Sequence, residues 1–291
     1  MTSNSKNSPQ DRAVVALLIV LAPLVLVFIA FHVLWGVLVG SLLFPVMPTG
    51  GRDALVKFWS RIALFALGIR LELQVAPGAG PIGKSAGSLL VINHVSWADV
   101  FVVAAVTPAR FVAKAEIAGW PLIGRFASGV GTIFVERGRR QAIRRVNQTV
   151  TDRLRSGQSV GIFPEGTTTD GSCLLRFHSN LIQAGVEAQA PVVPLALQYL
   201  RDGQPTDAAA FVGDDTLVGS IWKVLVTPRL TARLHWLPAL ESPGEVRQEI
   251  AERARSAISI ALGLPERDST MSDDAVGDDA SELGSVSAGG N

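Results

Sequence analysis

The sequence places a histidine and an aspartate five residues apart, where a buried strand gives way to a helix. His94 follows the apolar run that ends at Ile92, and Asp99 precedes the apolar run 100–106. Open α/β sheets bind ligands beyond the carboxyl ends of their strands, so His94 is predicted to lie at a site. A carboxylate on one imidazole nitrogen leaves the other nitrogen as a general base. The alternative is structural: Ser96 and Asp99 have capping-box spacing, so Asp99 could only cap the helix while His94 satisfies loop backbone.

A second polar loop, 162–171, follows another buried strand. Pro164 and Gly166 predict a turn with Glu165 between them, and Thr167 begins a run of three threonines. Hydroxyl groups and backbone N–H groups in such a loop can bind an oxyanion. An ordinary polar loop is the alternative, but two such loops after two buried strands favour one shared site.

Two cations stand where further strands end. Lys114 and Arg137 each follow a short β-rich run, where either side chain could bind phosphate or could simply be solvated. None of the other histidines pairs with His94 at metal-ligand spacing, and the single Cys173 excludes a disulfide framework and a cysteine-based zinc site. The sequence therefore predicts no metal.

The elements that must position these side chains are short apolar runs that alternate with helical patterns. The runs lie at 88–92, 110–113, 132–135, 159–163 and 192–197. Near-continuous apolar runs of this length suit strands that are buried on both faces. Helical periodicity covers 139–155 and 243–262. The sequence predicts an α/β fold with a mainly parallel sheet flanked by helices and an N-terminal membrane-embedded helical segment.

The amino-terminal end carries that membrane segment. Between Arg12 and Arg52 there are 39 residues without Lys, Arg, Asp or Glu, whereas one spanning helix needs about 20 apolar residues. Prolines and glycines interrupt this run, so two interpretations fit: a spanning helix followed by an interfacial one, or a helical hairpin that dips into one leaflet. Residues 53–69 predict an interfacial amphipathic helix, with packing on the catalytic domain as the alternative.

Charge and composition divide the chain further. We predict a membrane segment at 1–51, an interfacial helix and linker at 52–75, the α/β domain at 76–264 and a disordered acidic tail at 265–291. The tail holds seven acidic groups and one basic group, so the first 264 residues carry a net charge of +7 behind an overall charge of +1. A basic body suits an anionic partner such as lipid headgroups, a phosphate substrate or an acidic carrier protein, and no nucleic acid is expected.

Composition also excludes some classes of protein. Apolar residues make up 48% of the chain and charged residues 18%, which excludes a wholly disordered protein. The apolar excess is confined to one end, which excludes a polytopic transporter. The predicted helix 139–155 carries six arginines and one aspartate. Its arginine-rich side is either a solvated face or a docking surface for something acidic, such as the anionic leaflet or an acidic carrier protein.

Together these segments resemble the glycerolipid acyltransferase family. The first family motif, Asn-His, then four further residues and Asp, is present as NHVSWAD at 93–99. The second, Gly-x-Ile-Phe-Val/Ile-x-Arg, is present as GTIFVER at 131–137. The third, FPEGT, stands at 163–167, and a Val-Pro-containing strand appears as PVVPLAL at 191–197. The order and spacing of the four motifs agree.

The resemblance implies a role for each matched residue. His94 would deprotonate an acceptor hydroxyl, which attacks the thioester carbonyl of acyl-CoA or acyl-carrier protein, and Asp99 would orient His94 and stabilise the imidazolium. In the acceptor site, the glutamate and glycine of FPEGT would shape the pocket and two cations would hold an anion. The residues implied to bind substrate are Asn93, Ser96, Lys114, Arg137, Glu165, Gly166 and Thr167. No cofactor, metal or covalent acyl-enzyme is implied, because the acyl donor is itself a substrate.

The resemblance also implies a lysolipid acceptor that enters from the bilayer, at the cytoplasmic face of a bacterial inner membrane. Many family members that act on lysophosphatidate continue FPEGT with Arg, whereas this chain has Thr168. The first expectation is 1-acylglycerol-3-phosphate, giving phosphatidate in phospholipid biosynthesis. Lyso-ornithine lipid, which has no phosphate, is the alternative acceptor. An inactive membrane lipid-binding protein and a hydrolase are the alternatives of other classes.

Overall fold

A computed structural model of the chain describes residues 9–80, 87–136, 140–242, 244 and 246–267. They form an eight-stranded sheet in the order β1-β8-β6-β2-β5-β3-β4, with β7 paired to β6. The strands are β1 Arg70–Val75, β2 Leu89–Ile92, β3 Arg110–Lys114, β4 Ile133–Val135, β5 Val160–Ile162, β6 Val192–Arg201, β7 Gln204–Pro205 and β8 Leu230–Trp236. The helices are α1 Pro9–Leu42, α2 Thr49–Ala66, α3 Asp99–Val106, α4 Ile123–Gly129, α5 Arg140–Arg155, α6 Ile182–Ala188, α7 Leu217–Leu225 and α8 Arg247–Leu262.

The middle of the sheet is parallel, as predicted. Strand β2 pairs in parallel with both β5 and β6, and β3 pairs in parallel with β5 and β4. Strand β8 is antiparallel to β6 and parallel to β1. All five predicted strands are present, and β6 continues to Arg201, beyond its predicted end at 197. The prediction of a mainly parallel α/β sheet is confirmed, while the antiparallel side with β1 and β8 was not predicted.

Helices cover both faces of the sheet. A front layer of α2, α3 and α7 packs on one face through Leu64, Val102 and Val224. A back layer of α5, α6 and α8 packs on the other face, with Val146 and Ile250 among its buried side chains. Both layers contact fully buried strands, which explains why the strand sequences are continuously apolar rather than alternating.

Helix α1 lies along the front layer. Near its start, the Asp11 carboxylate is 2.6 Å from the Arg229 guanidinium. Near its end, a Cβ on Gly36 would lie 2.5 Å from the Trp59 ring and 2.7 Å from the Phe126 ring, so only glycine permits this close approach. In the described part of the chain, one helical stretch, Asp11–Val46, is long and apolar enough to cross a membrane. It comprises most of α1 and the short turn that follows it, and 6% of its most apolar part is buried. A core helix would be mostly buried, so this helix presents a largely uncovered apolar surface.

Helix α2 combines the two alternatives considered for residues 53–69. It begins earlier, at Thr49, and it packs on α3 through the buried Ala63 and Leu64. Its opposite side remains apolar and uncovered, since Phe58 is 61% exposed and Phe65 is 86% exposed. Helices α1 and α2 pack against each other, so together they form a helical hairpin on the front layer.

The carboxyl-terminal boundary lies slightly later than predicted. Helix α8 begins at Arg247 rather than near 243. The predicted tail starts at 265, but Leu174 N donates to the Pro265 carbonyl and Arg267 N donates to the Leu174 carbonyl. Residues 265–267 therefore belong to the folded body. The remainder of the predicted disordered tail, from 268, lies outside the described residues.

Candidate active site

His94 stands at the carboxyl end of β2, and both of its peptide groups are held by the loop that follows β5. The backbone N–H of His94 donates to Glu165 Oε1 at 2.7 Å. Its carbonyl accepts from the backbone N–H of Thr169 at 2.9 Å. The two polar loops predicted to share a site are therefore joined through the backbone of His94 itself.

The imidazole of His94 is oriented on two sides. Its Nδ1 lies 2.8 Å from Asp99 Oδ2, and the ring stacks on Phe163 with centroids 4.0 Å apart. Because a carboxylate accepts, Nδ1 carries the proton and Nε2 keeps its lone pair. The His94 side chain is 20% exposed, so part of the imidazole ring is accessible from outside. The arrangement is that of a general base able to take a proton from a hydroxyl group.

Asp99 is fully buried and is surrounded by donors. Its Oδ2 also accepts from the backbone N–H groups of Val95 and Ser96, at 2.8 and 2.9 Å. Its Oδ1 accepts from the hydroxyl of Tyr199 at 2.8 Å. A buried carboxylate is tolerated only when such hydrogen bonds replace water. Burial, followed by the nearby charge of Asp99, raises the pKa of Tyr199 well above its ordinary value, so the phenol remains a donor.

Both interpretations of Asp99 from the sequence hold in part. Asp99 begins α3, and its bond to Ser96 N supplies one half of a capping box. The Ser96 hydroxyl accepts from Ala98 N rather than from Asp99 N, so the other half is absent. The same carboxylate that binds the loop backbone also binds His94. Its capping role and its role toward the imidazole are therefore performed together.

Two residues predicted to bind substrate are instead committed to the protein interior. Asn93 is 1% exposed; its amide donates to the Leu197 carbonyl at 2.9 Å and its oxygen accepts from Leu197 N at 2.7 Å. Ser96 is fully buried against Ala98. The substrate-binding assignment of Asn93 and Ser96 stays a prediction, and in this structure both side chains are bonded to backbone. Asn93 fixes the end of β2 to β6, and Ser96 shapes the loop before α3.

Glu165 also acts on backbone rather than on an open pocket. It is 4% exposed, and its second oxygen accepts from Leu175 N at 3.0 Å. Burial raises the pKa of Glu165 to about 7, although both backbone hydrogen bonds oppose this rise. Gly166 adopts a φ of 74°, the left-handed conformation that the turn requires and that glycine adopts without strain. The prediction of a turn at Pro164 and Gly166 is consistent with this geometry.

Two of the remaining predicted binding residues, Thr167 and Lys114, lie at the periphery. Thr167 is exposed on the turn, and Lys114 is exposed at the end of β3, on the same edge of the sheet as His94. Arg137 lies outside the described residues. Thr168, which replaces the arginine of many relatives, donates its hydroxyl to the Phe211 carbonyl. The roles of Thr167, Lys114 and Arg137 stay predictions.

An apolar cavity lies within the front layer, beyond the Phe163 ring from the imidazole. It is enclosed by α1, α2, α3 and α4, and its walls include Gly36, Trp59, Ala104 and Phe111. Phe111 stacks on Phe163 with centroids 6.1 Å apart, and the imidazole of His94 stacks on Phe163 in turn. The cavity is therefore separated from the base by two aromatic rings.

No group of three or more His, Cys, Asp or Glu side chains suited to a metal occurs among the described residues. The sequence contains two G-x-S-x-G patterns, at 83–87 and 157–161, of the kind that forms a nucleophile elbow in hydrolases. A nucleophile elbow follows a strand and opens a helix, whereas the first pattern ends just before β2 and the second leads from α5 into β5. Neither position in the chain matches an elbow.

Sequence reasoning missed Tyr199 and Phe163 as parts of the site. Tyr199 is the single tyrosine of the chain and interrupts the apolar run of β6 with a hydroxyl. A buried hydroxyl requires a partner, so this position carried a detectable signal. Phe163 carried none, because an aromatic residue at a strand end is ordinary core.

The fold and the His–Asp pair at the end of a parallel strand define an acyltransferase. A family model described as acyltransferase matches residues 77–198, and the chain belongs to this family. It is 37% identical over 211 residues to a lyso-ornithine lipid O-acyltransferase of Pseudomonas aeruginosa, covering 72% of this chain and 79% of that one. It is 34% identical over 217 residues to a 1-acyl-sn-glycerol-3-phosphate acyltransferase of Neisseria meningitidis, covering 73% and 83% respectively.

A solved structure shares the fold. The 1-acyl-sn-glycerophosphate acyltransferase PlsC of Thermotoga maritima matches 87% of this chain and 95% of its own, with a TM-score of 0.59 and 17% identity. The family predicted from the four motifs is thereby confirmed.

Proposed function

We propose that the protein transfers an acyl chain from a thioester to the hydroxyl group of a lysolipid, with His94 as general base. The observation that carries this proposal is the imidazole that Asp99 holds through Nδ1, on a side chain that remains 20% exposed. Nε2 takes the hydroxyl proton as the oxygen attacks the thioester carbonyl. The new C–O bond forms, the C–S bond breaks, and the leaving thiolate receives the proton from the imidazolium. Asp99 stabilises the imidazolium between these two steps.

The donor is acyl-CoA or an acyl-carrier protein, and its acyl chain extends toward the apolar cavity that Phe111 lines. The cavity is apolar, and burial of each methylene group contributes about 0.8 kcal/mol. The stacked rings of Phe111 and Phe163 lie between the cavity and the base, so the thioester carbonyl at His94 and the far part of the acyl chain occupy the two ends of this aromatic pair.

For the acceptor we favour lyso-ornithine lipid. Position 168 carries a neutral threonine whose hydroxyl is already bonded to the Phe211 carbonyl. A phosphate acceptor would benefit from a guanidinium at this position. The relative from Pseudomonas aeruginosa is named for the same acceptor. Lysophosphatidate is the second candidate, supported by the relative from Neisseria meningitidis and by the exposed Lys114 on the same edge of the sheet.

The hairpin of α1 and α2 holds this site at a membrane, which we place as the cytoplasmic face of a bacterial inner membrane. Helix α1 contacts the body near both of its ends, through Asp11 and through Gly36, so the helix follows the body along its length. Its uncovered apolar side faces outward together with Phe58 and Phe65 of α2. A lipid acceptor can then reach His94 without leaving the bilayer.

The test is transfer of labelled palmitate from palmitoyl-CoA to a panel of lysolipids in vesicles. The expected product is a diacyl lipid, with a higher rate on lyso-ornithine lipid than on lysophosphatidate. His94→Ala should abolish the product, while His178→Ala, at another exposed histidine, serves as the matched control. Free fatty acid as the only product would indicate a hydrolase. No product with any acceptor would indicate a lipid-binding protein.

A further inference from the structure

Helix α5 presents a basic surface that the acyl-transfer chemistry does not use. Its buried side belongs to the core between the back layer and the sheet, through Val146, Val150 and Leu154. Arg144 and Arg145 lie on its exposed side. Within the part of the chain that the structure describes, neither arginine has a carboxylate within ion-pair distance. We call the exposed side of the first half of α5, with Arg144 and Arg145, the arginine surface.

The sequence around the arginine surface shows no internal compensation of charge. The positions one helical turn away from these arginines, where an acidic residue could form an ion pair, include uncharged residues such as Gln141, Gln148 and Thr149. Gln148 bonds instead to Asp152, further along the helix. An acidic residue at i±3 or i±4 from an arginine would stabilise the helix through an ion pair. Arg144 and Arg145 have no such neighbour in the sequence. An unpaired basic cluster favours an anionic partner from outside the chain.

The direction of α5 places the arginine surface close to the reaction. Strand β4 is parallel to β3 and ends on the same edge of the sheet as His94, and α5 begins five residues after β4 ends. Strand β5 then starts at the opposite edge, so α5 must run away from the site. Its first half, with Arg144 and Arg145, therefore lies at the edge where His94 stands.

The layer arrangement identifies which kind of anion can reach this surface. The membrane-facing hairpin of α1 and α2 lies on the front layer. Helix α5 lies on the back layer, with the sheet between the two. A bilayer that contacts the hairpin meets the front of the domain. A partner for the arginine surface must instead approach from the aqueous side.

We propose that the arginine surface docks an acidic carrier protein that delivers the acyl chain as a thioester. This inference rests on the proposed acyl transfer and specifies the side from which the donor arrives. The lipid acceptor then reaches the site from the front layer and the donor from the back, so the two substrates do not compete for one approach. Electrostatic attraction of this kind mainly raises the rate of encounter and is screened by salt.

The experiment compares two donors that share the same acyl thioester arm, palmitoyl-carrier protein and palmitoyl-CoA, on the full chain in vesicles. Arg144→Glu/Arg145→Glu should lower kcat/KM for palmitoyl-carrier protein about tenfold or more, since steering changes encounter rates by about 10–10³-fold. It should leave kcat/KM for palmitoyl-CoA within about twofold. Raising NaCl should weaken wild-type turnover of the carrier-bound donor and have little effect in the variant.

Two control variants separate charge from fold. Arg144→Lys/Arg145→Lys keeps the charge and should retain most of the carrier-dependent rate. Arg70→Glu/Arg247→Glu makes the same change in net charge; Arg70 lies on β1 at the far side of the sheet, and Arg247 begins α8 at the opposite edge. This second double variant should leave both donors unaffected.

Several outcomes would overturn the inference while leaving the proposed acyl transfer intact. An equal loss with both donors would assign the arginines to a phosphate site or to the fold. Weaker binding to anionic vesicles with unchanged use of the carrier would make the bilayer the partner. If none of these quantities changes, the arginine surface is a solvated face and binds no partner. If the wild-type enzyme uses only palmitoyl-CoA, it does not use a carrier protein as donor, and the proposed docking is excluded. Failure of the acyl transfer itself would show as absence of product with both donors.

Discussion

Glu165→Gln should change the pH dependence of stability in a direction set by the burial of this carboxyl group. Glu165 accepts from the backbone N–H groups of His94 and Leu175 while nearly excluded from water. Burial outweighs these bonds and raises its pKa from the ordinary 4.5 to about 7. Glutamine has nearly the same shape and cannot ionise, so it removes the titration at this position. Its amide nitrogen cannot accept from the second backbone N–H, and the resulting loss of stability is the same at every pH.

The sign and size of the effect follow from this pKa. Between pH 4.5 and about 7 the folded protein holds a proton that the unfolded chain has released. The free energy of unfolding of the wild type therefore falls as pH rises through this window. A difference of about 2.5 pH units corresponds to about 3 kcal/mol. The stabilising contribution is complete below pH 4.5 and lost above about pH 7, and the variant should lack this loss.

The measurement is urea unfolding in detergent, followed by tryptophan fluorescence at pH 5 and pH 8. Relative to the variant, the wild type should lose about 3 kcal/mol between the two conditions. Glu187→Gln is the matched control, because that glutamate is exposed on α6 and should leave the wild-type pH dependence unchanged. If wild type and Glu165→Gln show the same pH dependence, the carboxyl group has an ordinary pKa and the reasoning from burial fails.

Four further substitutions test the site. His94→Ala should lower kcat by at least about 10²–10⁴-fold because it removes the base. It also removes one donor from Asp99 and the stack on Phe163, so the melting temperature should fall while the protein still folds; wild-type turnover would contradict the mechanism. Tyr199→Phe removes one donor from Asp99 and should cost about 1.5–3 kcal/mol of stability while lowering kcat more than it raises KM. An unchanged melting temperature would show that this hydrogen bond is not formed. Ala104→Phe fills part of the apolar cavity and should shift donor preference toward shorter acyl chains, a shift measured as kcat/KM across donors of different length; an unaltered preference would place the acyl chain elsewhere. Thr168→Arg should raise kcat/KM for lysophosphatidate relative to lyso-ornithine lipid about tenfold, since a charge-assisted bond to phosphate contributes about 1.5–3 kcal/mol; an unchanged ratio of the two acceptors would remove position 168 from acceptor choice.

The parallel centre of the fold could be predicted because its strands are buried on both faces and read as continuous apolar runs. Strand β8 was missed for the opposite reason. Its residues alternate between buried and half-buried positions, with Arg233 and His235 between apolar neighbours. A search for continuous runs does not detect such a strand, whereas a period of two does. Strand β1 is short and largely exposed at the sheet edge, so its sequence gives little signal.

The site was predictable where its partners are close in sequence. His94 and Asp99 are separated by one short loop, so their spacing already implied an interaction. Tyr199 lies 100 residues beyond Asp99 and reaches it only because β6 is the neighbour of β2. Strand order of this kind is a property of the tertiary fold and is not visible in local patterns.

In the proposed mechanism one polar residue of the motifs, His94, is the base, and the other buried polar residues bind its backbone or its surroundings. Asn93 binds the backbone of β6, while Glu165 and Thr169 bind the two peptide groups of His94. A motif match identifies such residues as parts of a site but does not distinguish contact with substrate from contact with backbone; burial does. Because these groups act through the position of the imidazole, their removal should lower turnover more than substrate affinity. In the proposed mechanism, the FPEGT loop therefore contributes by fixing where His94 stands.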